Sequence, residues 1–134
     1  MFAATGYGAG YGAARARYHE VDVASQVEGA SPHRLIAILF EELTKILDIL
    51  AASLGEGRSR AGVPERRARA NSILGGLEAS LDHAQGGELA RGLASVYREA
   101  RRLIDAGVTG NDPDRIIEAR AMIGEIAEAW ARIG

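Results

Sequence analysis

The chain has 134 residues, a length typical of one domain that can bury a large core without disulfides or metals. It has no cysteine, which excludes disulfides and thiolate metal sites, and its net charge of −2 gives no general attraction to nucleic acid or anionic membranes. Alanine, leucine, isoleucine, glutamate and arginine are abundant and aromatic residues are few, a composition that favours helices.

The first 29 residues are predicted to form an arm and a strap. Residues 1–14 contain four glycines and no charge, so we expect neither a fixed helix nor a signal peptide there. Tyr7 and Tyr11 are candidate anchors of this arm, although a disordered tail is the simpler interpretation. The rest, to residue 29, carries Tyr18, Val21 and Val23 among charged residues. It predicts an extended or short-helical strap, because a lone strand has no partner in a helical chain.

Residues 30–54 carry the strongest helix signal in the sequence. Ser31 can cap the free N–H groups of the first turn, and Pro32 suits the first helical position. Apolar residues then recur at helical spacing: Leu35, Ile36, Leu39, Phe40, Leu43, Ile46, Leu47, Leu50 and Leu54. So much apolar surface must be buried in a core or kept for a partner, and periodicity alone favours the core.

A second and a third amphipathic helix are predicted after an exposed glycine- and arginine-rich loop at residues 55–62. The second helix covers residues 64–81 and begins with a proline. A turn at the glycine pair 86–87 then leads into the third helix, residues 88–106. Gly107 is predicted to cap the end of this third helix.

The fourth helix is predicted to begin at Asp112 and Pro113, as cap and first residue. Its apolar stripe ends near Trp130, which we expect in the core. Short connections between four such helices imply an all-α, antiparallel up-down four-helix bundle over residues 30–134, with the strap outside it.

No set of residues predicts catalysis, a cofactor or a metal. A di-iron bundle requires Glu-x-x-His on two helices, and none of His19, His33 and His83 has a glutamate three positions before it. The first arginine cluster, at residues 58–69, lacks the interleaved aromatics of a nucleic-acid surface and the net charge is negative, so we interpret the arginine clusters as solvated faces. No segment reaches the about 18 uncharged apolar residues of a membrane span.

One motif is specific, ASPHRLI at residues 30–36, followed by Leu39 and Phe40. Weaker landmarks accompany it: Tyr18, Val21, Val23, SLD at 80–82, Leu93, Val96, Tyr97, RRL at 101–103, ND at 111–112 and AW at 129–130. In this order and spacing, the sequence resembles the flagellar export chaperone FliS family over about residues 18–131.

The resemblance implies a cytosolic chaperone that binds the disordered C-terminal segment of flagellin. Such a chaperone prevents premature polymerisation and brings flagellin to the export gate protein FlhA of the type III apparatus. Family members also contact FliW or FlgM in some bacteria, and their N-terminal segment covers part of the apolar groove until flagellin displaces it. We expect the groove here to use apolar residues of the strap and the first three helices: Tyr18, Val21, Val23, Leu35, Ile36, Leu39, Phe40, Leu43, Ile73, Leu77, Leu93, Tyr97 and Ile104.

Two other functions are weighed against this one. A structural bundle would use the same apolar helix faces to self-associate. An enzyme would need a bound metal or chromophore, for which the residues give no support.

Overall fold

The structure, a computed structural model, describes residues 27–133, and it contains four helices and no strand in that part of the chain. The helices are α1 (Pro32–Ala52), α2 (Val63–Ala79), α3 (His83–Thr109) and α4 (Pro113–Arg132). The predicted all-α class with four helices is confirmed. The arm and strap residues Tyr7, Tyr11, Tyr18, Val21 and Val23 lie outside the described residues.

The chain divides into two units, residues 1–38 and 39–134. The described part of the first unit contains the start of α1. There the Ser31 hydroxyl accepts a hydrogen bond from the backbone N–H of Arg34 at 3.1 Å, and Pro32 is the first helical residue. Both observations match the predicted cap.

The core of the second unit is built from leucine and isoleucine side chains. Leu43, Leu47 and Leu50 on α1 are completely buried, so the periodic stripe predicted from the sequence forms core along this half of α1. The other three helices contribute further large buried side chains, among them Val63, Ile73, Leu74, Leu77, Tyr97, Leu103, Ile104, Ile116 and Ile123.

Ion pairs on the sides of the bundle identify which helices are neighbours. Among the pairs that connect different helices are Arg69–Glu42 (α2 to α1, 3.2 Å), Arg67–Asp105 (α2 to α3, 2.8 Å) and Arg120–Asp48 (α4 to α1, 3.1 Å). Helix α3 also packs against both α2 and α4. With the short connections, these contacts give a closed ring of antiparallel helices.

The loop after α1 and the turn after α3 are fastened together by Asn111. Its Oδ1 accepts hydrogen bonds from the backbone N–H of Gly55 at 3.1 Å and from Nη1 of Arg60 at 3.0 Å. Arg60 Nη2 also donates to the carbonyl of Val108 at 3.1 Å. Asn111 has a φ of 52°, a left-handed conformation that asparagine tolerates better than most residues. These hydrogen bonds therefore link the α1–α2 loop to the α3–α4 turn at one end of the bundle.

The prediction that Gly107 caps the third helix is wrong. The helix continues to Thr109, and Gly107 lies inside it as a buried residue. A Cβ atom added to Gly107 would lie 2.8 Å from Cδ1 of Ile116 and 3.0 Å from the carbonyl oxygen of Asp112. The glycine is thus needed for the close approach of α4 to α3, a tertiary reason that local sequence does not contain.

Replacing Gly107 with alanine is expected to lower the free energy of unfolding by about 1–3 kcal/mol, because the added methyl overlaps Ile116. The helix-propensity gain of about 1 kcal/mol from glycine to alanine offsets this only in part. The matched control is Gly92→Ala in the same helix, where a Cβ meets no atom within 4 Å. Urea unfolding of both variants measures the difference, and equal stabilities would contradict the close approach.

Candidate functional site

Six of the residues predicted to bind a partner lie in the core, each with 3% or less of its surface exposed: Phe40, Leu43, Ile73, Leu77, Tyr97 and Ile104. These side chains point into the core, because the four helices pack around them. In this conformation they contribute to stability and present almost no surface of their own.

Four other predicted residues are accessible. Leu35 is 37% exposed. The remaining three, Ile36, Leu39 and Leu93, are half-buried. A partner can reach the side chains of these residues without separating the helices.

Leu93 also lines an open groove of about 300 Å³ at the start of α3. We call it the kink groove; its lining residues are Leu81, Asp82, Gln85, Gly86, Leu89, Ala90 and Leu93. Leu89 is 70% exposed although it is a large apolar side chain. By sequence, Leu81 and Leu89 lie at the end of the second and the start of the third predicted amphipathic helix, and the predicted turn at the glycine pair was the signal of irregular backbone between them.

A break in α3 produces this groove. The helix begins at His83, earlier than the predicted residue 88, but Gly87 has a non-helical φ of 52° and ψ of −121°. Residues 83–86 therefore form a separate turn. Asp82 caps it, with its Oδ1 accepting a hydrogen bond from the backbone N–H of Gln85 at 3.0 Å. The predicted turn at the glycine pair is thus present as a kink within α3.

Two further apolar side chains, Trp130 and Ile133, are accessible at the end of α4. The close approach of Gly107 to Ile116 fixes the register of the two antiparallel helices. Gly107 and Ile116 are in contact, and the two helices run in opposite directions from this point. Leu93 is as far from Gly107 in sequence as Trp130 is from Ile116, so Leu93 and Trp130 lie at about the same level along the bundle. Trp130, expected in the core, is only half-buried, and Ile133 beyond it is exposed. The end of α4 thus carries accessible apolar side chains at about the level of the kink groove.

Tyr97, one turn beyond Leu93 on α3, is the buried aromatic residue nearest to the groove along the helix. Burial raises the pKa of its phenol above the ordinary value, because the low-dielectric core disfavours the phenolate. Its ring therefore acts as a neutral, apolar part of the core at physiological pH.

The free energy of unfolding of the wild-type protein is expected to fall at alkaline pH, and replacing Tyr97 with phenylalanine is expected to make this fall smaller. The unfolded phenol ionises near pH 10 while the folded one stays neutral. Its contribution to stability is therefore present below about pH 10 and is lost as pH rises through the raised pKa. Denaturant unfolding of both proteins from pH 8 to 11 measures the difference. If the free energy of unfolding depends on pH in the same way for both proteins, the pKa of Tyr97 does not change on folding.

Two other kinds of site are not found within residues 27–133. No group of three histidine, aspartate or glutamate side chains there is arranged to hold a metal ion. None of the helices in this part is both long and apolar enough to cross a bilayer.

The sequence is similar to known flagellar proteins over most of its length. A family model described as "Flagellar protein FliS" matches residues 14–134. The flagellar secretion chaperone FliS of Salmonella typhimurium is 38% identical over 117 residues, which is 87% of this chain and 86% of that protein. The flagellar secretion chaperone FliSB of Pseudomonas aeruginosa is 36% identical over 118 residues, 85% of this chain and 90% of that protein. Because the family model covers nearly the whole sequence and the relatives align over most of their length, this chain belongs to the FliS family.

Proposed function

We propose that this chain, a member of a chaperone family and not an enzyme, binds the disordered C-terminal segment of flagellin in the cytosol. Binding would keep flagellin from polymerising early and bring it to FlhA at the type III export apparatus. Contacts with FliW or FlgM, implied by the same resemblance, stay predictions. The observation that carries the proposal is the kink groove, an open groove with the exposed apolar side chain of Leu89 in its wall.

This surface suits a flexible client. A disordered segment can form an amphipathic helix whose apolar side chains enter a groove such as the one lined by Leu89 and Leu93. The segment loses conformational entropy when it orders, so a useful affinity requires contact over a large area. The accessible residues Leu35, Ile36 and Leu39 of α1 are the proposed further contacts.

The buried residues of the predicted set are proposed to act through the core that holds these helices in place. The predicted N-terminal residues Tyr18, Val21 and Val23, with the anchors Tyr7 and Tyr11, are proposed to compete with the client for the groove. A competing strap lowers the apparent affinity by the fraction of time it is bound.

Deleting residues 1–23 should then strengthen binding of the flagellin peptide, because the competing strap is removed. If the deletion weakens binding instead, the strap is part of the binding site.

Isothermal titration calorimetry with a synthetic peptide of the flagellin C-terminal segment tests the proposal. We expect a one-to-one complex with a negative heat-capacity change, since apolar surface is buried. A peptide of the same composition in scrambled order is the control. Absence of binding by the native peptide, or equal binding of both peptides, would contradict the proposed function.

Sedimentation of the free protein and of the mixture tests the structural alternative. A tight self-assembly that the flagellin peptide cannot dissociate would show that the exposed apolar side chains, such as Leu89 and Ile133, serve contacts between copies of this chain.

A further inference from the structure

Gly87 joins the two walls of the kink groove. Four lining residues precede it in the chain: Leu81, Asp82, Gln85 and Gly86. Three follow it: Leu89, Ala90 and Leu93. The width of the groove therefore depends on the backbone conformation at this one glycine.

The first wall is attached to the end of α2. The backbone N–H of Gly86 donates to the carbonyl of Asp82 at 2.7 Å, and that of Gln85 donates to the Asp82 carboxylate at 3.0 Å. Leu81 N–H in turn donates to the carbonyl of Glu78, inside α2, at 3.1 Å. Residues 81–86 are thus attached to the end of α2.

The second wall belongs to the long, straight part of α3. That part is held against α2 by Arg98 and Arg101, both of which pair with Glu78. It is held against α4 by the close approach at Gly107. Each wall therefore has contacts of its own, the first with the end of α2 and the second with α2 and α4, so a change in the backbone conformation of Gly87 would move one wall relative to the other.

The conformation of Gly87 is one that only glycine adopts at low cost. Its φ of 52° with ψ of −121° is strained for any residue with a Cβ atom, whereas glycine reaches both this conformation and the helical one. The neighbouring Gly86 lets the walls meet, because a Cβ there would lie only 2.9 Å from the Cβ of Ala90.

We propose that Gly87 is a hinge that adjusts the kink groove around the apolar side chains of the bound client. This inference rests on the proposed function, since the occupant is the flagellin C-terminal segment. The kinked conformation forms the groove between the two walls. A straight α3 would carry residues 83–86 along the helix axis and remove that groove.

Replacing Gly87 with alanine tests the binding consequence. Alanine disfavours the kink, and if the kinked fraction falls to a tenth, the apparent Kd for the flagellin peptide rises about tenfold. The matched control is Gly92→Ala, a glycine in the helical part of α3 with open space around it, and it is expected to bind like the wild type. Equal affinity of the two variants would overturn the hinge.

A distance measurement tests the motion without relying on that variant. The chain has no cysteine, so spin labels at Ala84→Cys and Ser95→Cys, both exposed positions, report only on the two sides of Gly87. We expect two distance components in the free protein and loss of one when the peptide binds; an unbroken helix would place the two Cα atoms about 16 Å apart.

A single narrow distribution of the distance between the two spin labels, unchanged when the peptide binds, would overturn the hinge and leave the proposed function intact. Two components in a protein that binds no peptide would support the hinge and contradict the proposed function.

Discussion

Replacing Leu89 with glutamate is expected to weaken binding of the flagellin C-terminal segment by about tenfold to a hundredfold. Complete burial of a leucine side chain contributes about 1.5–3 kcal/mol, and the carboxylate would lose water on binding without gaining a partner. Leu89 is 70% exposed in the free protein, so the substitution removes no core contact. Calorimetry with the same peptide gives the change in Kd.

The matched control for this variant is Ile117→Glu. Ile117 is another exposed apolar residue, 55% accessible, and it follows Ile116 near the opposite end of the bundle from the kink groove. The control variant should bind the peptide with wild-type affinity. If both variants lose affinity equally, the client contacts the bundle over a much wider area than the groove. If neither does, the kink groove is not the binding site.

Replacing Leu43 with alanine is expected to lower the free energy of unfolding by about 2–5 kcal/mol. Leu43 is completely buried, and its truncation leaves a cavity that the surrounding helices fill only partly. Leu89→Ala is the same substitution at an exposed position and should change stability by no more than about 0.5 kcal/mol. Urea unfolding compares the two variants.

The same pair of variants separates stability from binding. Under conditions where both are folded, Leu43→Ala should bind the flagellin peptide like the wild type, whereas Leu89→Ala should bind more weakly. Reduced affinity of folded Leu43→Ala would show that the client reaches into the core row of α1, as the sequence interpretation expected.

Features that depend on neighbouring residues were predictable from the sequence. The cap at Ser31 is present, and Asp112 accepts a hydrogen bond from the backbone N–H of Asp114 at 3.0 Å directly before α4. A cap needs only the right side chain beside a free N–H group, so a short window of sequence contains all the necessary information. The four helices follow from periodicity for the same reason.

Features that depend on tertiary contacts were not predictable in this way. Gly107 looked like a helix cap but allows α4 to approach, and that neighbour is distant in the chain. Leu89 continues the apolar stripe of α3, yet it is exposed because the helix breaks just before it. Periodicity records which face of a helix is apolar and does not record whether a second helix covers that face.

The hydrogen bonds of Asn111 have a consequence for where the bundle loosens first. They tie Gly55 and Arg60 to the turn after α3, far from the kink groove. Deuterium should therefore enter the amides of residues 81–89 well before those around Asn111, because fraying begins where fewest contacts must break. In the proposed mechanism, the end of the bundle that binds the client changes shape while the hydrogen bonds of Asn111 hold the opposite end in register.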